Sequence, residues 1–115
     1  MKKYKWYKIA ENRSELIVQE GSIICMEAGG KKMCLARYND RFFACAAKCP
    51  HAGGLMEDGW LDAAGNIVCP IHRYKFSLDK GRNVTGEGYY LKTYPVEERA
   101  DGIYVGIESG GIFGW

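Results

Sequence analysis

Apolar and β-branched positions in this chain come in short runs, closed off by turn residues about every ten positions, and nowhere do they repeat at helical spacing over three turns. Ser22 to Glu27 is one such run. Gly29-Gly30 then turns the chain, and Met33 to Tyr38 resumes it. Asn39-Asp40 supplies the next turn before Arg41 to Ala46, where Phe42 and Phe43 fall on opposite faces. These spacings predict antiparallel hairpins. Near the end, Leu91 to Val96 and Ile103 to Ile107 flank Asp101-Gly102, a short-range hairpin signal. Pro95 belongs at an edge or a strand end, because it has no N–H to give a ladder. Lys2, Lys3, Lys5 and Lys8, set among aromatics, read as a solvated first strand. From Lys48 to Phe76 the pattern breaks into Gly-rich, Pro-containing loops around one short strand, Asn66-Ile67-Val68. The expectation is an all-β antiparallel sandwich or barrel carrying a loop-rich insert.

Composition narrows this without changing it. The 115 residues fit a single domain, residues 1–115, with 47% hydrophobic and 26% charged residues, an ordinary globular balance. A net charge of +2, with no basic block, gives no reason to expect nucleic acid. No apolar run is long enough to cross a membrane, and the first residues lack the apolar centre of a signal peptide. A cytoplasmic protein is expected. Five cysteines make an odd number, which argues against a full disulfide framework. Cysteines close to histidines point instead to metal or redox chemistry.

Both histidines follow a cysteine closely. Cys49-Pro50-His51 is one arm, Cys69-Pro70-Ile71-His72 the other, with residues 52–68 between them. Each arm offers one thiolate and one imidazole, so two facing loops would bring two sulfurs and two nitrogens to one centre. A Cys₂His₂ set can hold tetrahedral zinc, though Cys-x-His is short for a zinc arm. The Cys-x₄-Cys-x₂-Cys spacing of plant-type [2Fe–2S] ferredoxins is absent. In a Rieske centre two cysteines hold one iron and two histidines the other, which these arms match. Gly53 and Gly54 allow close backbone approach and positive φ, while Pro50 and Pro70 stiffen the loops.

Cys49-Pro50-His51-Ala52-Gly53-Gly54 and Cys69-Pro70-Ile71-His72 resemble the two cluster loops of the Rieske family. Trp6, Arg41-Phe42-Phe43-Ala44, Gly59 and Phe76 to Gly81 extend the likeness to that family's ferredoxins over nearly the whole chain. The resemblance implies a Rieske (ISP-like) antiparallel β sandwich or barrel with a small cluster-binding subdomain, residues 45–76, at its tip. It implies one [2Fe–2S] cluster held by Cys49, His51, Cys69 and His72, with the histidines near the surface and Gly53, Gly54, Pro70, Tyr74 and Phe76 around it. Leu55, Met56, Tyr74 and Phe76 form either an apolar rim about the cluster or packing between subdomain and β domain. High-potential members carry an extra cysteine in each arm, joined as a disulfide. Those places here look like Gly54 and Ile71. Those members also place hydroxyls beside the cluster where this chain has Tyr74 and Phe76. A potential near the low end of the Rieske range, about −150 mV, is expected.

Cys25, Cys34 and Cys45 are left over. Cys25 and Cys34 sit in strands on either side of Gly29-Gly30 and either face each other or are buried small hydrophobes. Cys45, four residues before Cys49, reads as support for the cluster loop and not as a ligand. An oxygenase also needs a mononuclear iron held by two histidines and a carboxylate, and both histidines here are already taken. The expected role is therefore that of an electron-transfer component, not an enzyme alone, passing single electrons from a flavin-dependent reductase to a terminal oxygenase. A small Rieske subunit of a reductase, such as an assimilatory nitrite reductase, is the alternative; a zinc-stabilised binding module is a third. Lys48, Arg73 and Lys75 flank the arms, with Glu57 and Asp58 just beyond. They are either a steering ring for a partner or an ordinary solvated rim.

Overall fold

The computed structural model describes residues 3–51, 53–86 and 88–109. Lys2 of the first strand and Ala52 of the first arm lie outside them. The described residues form ten strands in chain order: β1 (Lys3–Ala10), β2 (Ile23–Ala28), β3 (Lys31–Tyr38), β4 (Arg41–Ala46), β5 (Trp60–Leu61), β6 (Asn66–Val68), β7 (Lys75–Ser77), β8 (Thr93–Tyr94), β9 (Val96–Arg99) and β10 (Gly102–Ser109). Among the described residues there is no α-helix, only 3-10 turns at Arg13–Glu15 and Met56–Asp58. All strand pairs are antiparallel, in three sheets ordered β1-β10-β9, β2-β3-β4-β8 and β5-β6-β7.

The two central hairpins form as the turn residues dictate. Gly29 and Gly30 join β2 to β3 at φ 57° and 79°, and Asn39 and Asp40 join β3 to β4 at φ 52° and 61°. Positive φ at both central positions matches the right-handed strand twist, and glycine, asparagine and aspartate tolerate it best.

Strand β3 has apolar residues on both faces, and both faces are buried. Met33 and Leu35, each 0% exposed, join Phe42, Ala44, Ile103 and Val105 in the main core between the first two sheets. Their neighbours Cys34 and Ala36 point the other way, into a second core with Cys45, Met56, Ile67, Phe76 and Leu91. This second core fastens the three-stranded sheet of β5, β6 and β7 to the back of the central sheet. Fully burying a side chain such as Met33 or Leu35 stabilises the fold by about 1.5–3 kcal/mol. Phe42 and Phe43 separate as their alternation requires, Phe42 into the main core and Phe43 against the second.

Three features depart from the sequence pattern. The single run Leu91 to Val96 divides into β8 and β9, which belong to different sheets. Pro95 stands at the division. Lacking an N–H, it donates to neither ladder, while its carbonyl accepts from Gly106 N–H at 2.9 Å on β10. The last hairpin turns at Ala100-Asp101 rather than Asp101-Gly102, and Gly102 is already in register opposite Arg99. A Cβ at Gly102 would lie 2.8 Å from Ala10 O, so glycine serves close approach to β1 there. Finally, the stretch around Asn66-Ile67-Val68 is a three-stranded sheet. Strands β5 and β7 are too short for alternation to register in the sequence.

Candidate metal centre

The two arms are closed by their own backbones. In the first, Cys49 N–H donates to Gly54 O at 2.8 Å, Gly53 N–H returns to Cys49 O at 3.0 Å, and a bridge between Lys48 and Leu55 shuts the base. Gly53 takes φ 70°. Gly54 needs no positive φ. A Cβ there would lie 2.8 Å from Ile71 Cδ1 and 3.4 Å from Cys69 Sγ, so its glycine lets the arms meet. Positions 54 and 71 therefore face each other across the two loops. The second arm is the connection between β6 and β7, drawn in by Cys69 N–H donating to Tyr74 O at 2.9 Å. It bends through His72 and Arg73 at φ 64° and 56°, two adjacent non-glycine residues in the left-handed region. Such conformations cost free energy and persist where surroundings demand them, often at functional sites.

The arms converge. Cys49 is 3% exposed and Cys69 0%, and both belong to the same buried cluster. Burial pushes the Cys69 thiol up, against a backbone hydrogen bond from Ile71 that pulls it down. The imidazoles of His51 and His72 stand edge to face, ring centres 5.5 Å apart. His51 is half-buried and His72 exposed.

One atom stands out. His51 Nδ1 is buried and has no hydrogen-bond partner. A buried imidazole nitrogen without a partner carries a desolvation penalty that a metal bond removes. Its other nitrogen, Nε2, lies 3.5 Å from the Tyr74 hydroxyl. Partnering one nitrogen leaves the other defined as the ligand. A two-iron cluster takes its ligands as two pairs, which is what these loops present. The residues fit that cluster.

Around the arms the structure sorts the expected neighbours. Tyr74 packs against His51 with ring centres 4.4 Å apart. Leu55 and Ile71, 42% and 40% exposed, are the apolar groups at the surface. Met56 and Phe76, both 0% exposed, are packing in the second core and not part of a rim. Tyr89, which the sequence did not single out, stacks on Tyr74 and stands 5.0 Å from the His51 ring. Only tertiary folding brings it there, from a Gly-rich loop far along the chain. Lys48 and Arg73 are exposed beside the arms, whereas Lys75 reaches Asp62 at 3.6 Å and leaves the expected ring.

Comparison with known proteins places this geometry. A family model described as the Rieske [2Fe–2S] domain matches residues 5–95. The chain is 26% identical over 113 residues to a cholesterol 7-desaturase of Bombyx mori, covering 92% of this chain but only 24% of that protein. It is 24% identical over 89 residues to the ferredoxin component of the alkene monooxygenase system of Xanthobacter autotrophicus, covering 77% of this chain and 73% of that one. Among solved structures, a chain in a complex of reduced oxygenase and oxidised ferredoxin of carbazole 1,9a-dioxygenase superposes with a TM-score of 0.72 at 25% identity, covering 87% and 91%. A structure described as an NADH-dependent nitrite reductase small subunit from Mycobacterium tuberculosis superposes at 0.78 with 23% identity, covering 93% and 98%.

Proposed function

Because this chain belongs to the Rieske [2Fe–2S] domain family, we propose that Cys49 and Cys69 hold one iron of its cluster and His51 and His72 the other. The chain is a one-electron carrier, and the cluster supplies the redox chemistry when bound. The observation that carries the ligand assignment is the buried, unpartnered Nδ1 of His51, on a loop whose Gly54 closes on Cys69 and Ile71.

Residues 45–76 form the cluster-binding subdomain. Gly53, Gly54 and Pro70 shape its loops, Tyr74 orients the His51 ring, and Phe76 anchors the lobe from below. The thiols sit inside, away from water, while His72 is at the surface, so its exposed ring edge is the exit for the electron. Acting only with partner oxidoreductases, the protein takes electrons from a flavin-dependent reductase and delivers them at this tip to a terminal oxygenase. The relative named as a ferredoxin component and the structure named as an oxygenase–ferredoxin complex support this reading. Membership of a nitrite reductase is the second reading, favoured by the 93% and 98% coverage of the matching small subunit, a likeness of fold. Stable co-purification with a large reductase subunit would select it.

Iron and acid-labile sulfide per chain, with electron paramagnetic resonance of the dithionite-reduced protein, test the assignment. Two irons, two sulfides and the low average g value of a mixed Cys/His cluster are expected, with the Rieske signal lost in His51→Ala and His72→Ala. One zinc and no sulfide in anaerobically prepared protein would overturn it.

A further inference from the structure

Three cysteines outside the arms stand in one row across the central sheet. Cys25 on β2 is directly opposite Cys34 on β3, and Cys34 is directly opposite Cys45 on β4. Residues so paired send their side chains to the same face, here the face that carries the second core.

Backbone hydrogen bonds tell the two pairs apart. Arg37 N–H donates to Ser22 O at 3.1 Å and Arg37 O accepts from Gly21 N–H at 2.7 Å, so the polar groups of Arg37 face the β2 side. Sides alternate residue by residue along a strand, so those of Cys34 face β4. Ala46 N–H donates away from β3, to Lys92 O at 2.8 Å, which turns the groups of Cys45 toward β3 in agreement. Cys34–Cys45 is thus a hydrogen-bonded pair and Cys25–Cys34 a non-hydrogen-bonded one. In the latter kind the Cα atoms are about 4.5 Å apart and the side chains closer, inside the span a disulfide bridges.

Access also differs. Cys34 and Cys45 are 1% and 3% exposed, while Cys25 is exposed and borders an open recess of about 540 Å³ lined by Met26, Ala46, Ala47 and Leu55 among others. We propose that Cys25 and Cys34 are a reversible cross-strand disulfide site, closed by exchange with a low-molecular-weight disulfide entering through this recess. The Cys25 thiolate attacks one sulfur of the small disulfide, releasing one small thiolate and leaving a mixed disulfide on Cys25. Cys34 Sγ then attacks Cys25 Sγ, the bond to the small molecule breaks, and the second small thiolate leaves. The two protein thiols lose two electrons and two protons, and the reagent becomes two thiols. A hydrogen bond with Cys45 holds the Cys34 thiol below its ordinary value, which favours the closing attack. Burial and the Glu57 carboxylate push the Cys25 thiol up, so the opening attack is the slow one.

The site has a structural reach. Glu57, in the 3-10 turn just after the first arm, borders the same recess as Cys25, and the adjacent Met56 packs in the second core with Cys34, Cys45 and Cys49 of the arm. The sulfur row is therefore the seat on which that arm rests.

The test uses cluster-loaded protein under anaerobic conditions with glutathione disulfide. Free thiols are then alkylated in denaturant and the chain is digested with trypsin. Cleavage after Lys31, Lys32, Arg37 and Arg41 puts Cys25, Cys34 and Cys45 on separate peptides. A Cys25–Cys34 link is expected while the cluster's visible spectrum persists. Dithiothreitol should reverse it, Cys25→Ser should abolish it, and Cys45→Ser should leave it. The cluster spectrum of each variant shows that it folds. A Cys34–Cys45 link, glutathione retained on Cys25 without closure, three free thiols, or a link formed only after the colour bleaches would each overturn the proposal. The readout is on peptides, independent of how the cluster is ligated.

Discussion

Asp62 shows what one carboxylate does for the cluster lobe. It accepts from Ala64 N–H at 2.9 Å, Asn66 N–H at 3.0 Å and Asn66 Nδ2 at 3.1 Å, tying the turn between β5 and β6. Burial alone would raise its pKa, but the hydrogen bonds from Asn66 and Ala64 and the charge of Lys75 outweigh it, and the net shift is downward. A carboxylate depressed in the folded state stabilises fully above its unfolded pKa, about 3.9, and loses that contribution as pH falls through the folded value. Thermal unfolding of Asp62→Ala should show a loss of about 1–3 kcal/mol at neutral pH, shrinking in acid as the wild-type carboxylate protonates. Gly59 is constrained differently: a Cβ there would lie 1.8 Å from Val68 O. Gly59→Ala should cost about 1–3 kcal/mol or more, because backbone and not a flexible side chain must give way, and iron per chain should fall with it. Near the histidines, the one hydroxyl placed by the second arm is directed at His51 Nε2, and Phe76 has none. With so few side-chain hydroxyls on that arm, a potential near the low end of the Rieske range, about −150 mV, is the expected value. A redox titration above +100 mV would contradict this.

At the scale of elements, β3 is the wall shared by both cores. Its alternating sides feed Met33 and Leu35 to one core and Cys34 and Ala36 to the other. Truncation here is felt by the β sandwich and the cluster lobe together. Met33→Ala should cost about 2–5 kcal/mol by denaturant unfolding, since it leaves a cavity in a fully buried site. Ile17→Ala, on a side chain 86% exposed, should stay within about 0.5 kcal/mol. The break at Pro95 serves the same economy of layers: two short strands in different sheets join across one residue that has no N–H to donate and bonds only through its carbonyl, to β10.

Across the whole molecule, the proposed cluster site, with its thiols buried and His72 exposed, makes that tip the expected place of electron exchange. Lys48 and Arg73 flank that end, both exposed. Charge there steers encounter more than it strengthens it. Reversing both to glutamate should slow reduction by a flavin-dependent reductase most at low salt, with the difference fading above about 0.1 M, where the Debye length is about 10 Å. An unchanged rate in stopped-flow mixing would make them ordinary solvated rim.

The two Cys/His arms, the antiparallel class and the turns at Gly29-Gly30 and Asn39-Asp40 were legible in the chain itself. Metal-binding spacing and positive-φ turns are local properties, written within a few residues. The facing of Cys25 and Cys34 was legible for the same reason, since a two-residue turn sets the register of its hairpin. The tertiary structure alone decided what depends on distant neighbours. It split Leu91 to Val96 between two sheets, assembled β5, β6 and β7, and sank Met56 and Phe76 beneath the arms. It also carried Tyr89 to the His51 ring and paired Lys75 with Asp62. None of these has a local signature, because each is settled by which surfaces bury one another when the central sheet is covered on both faces.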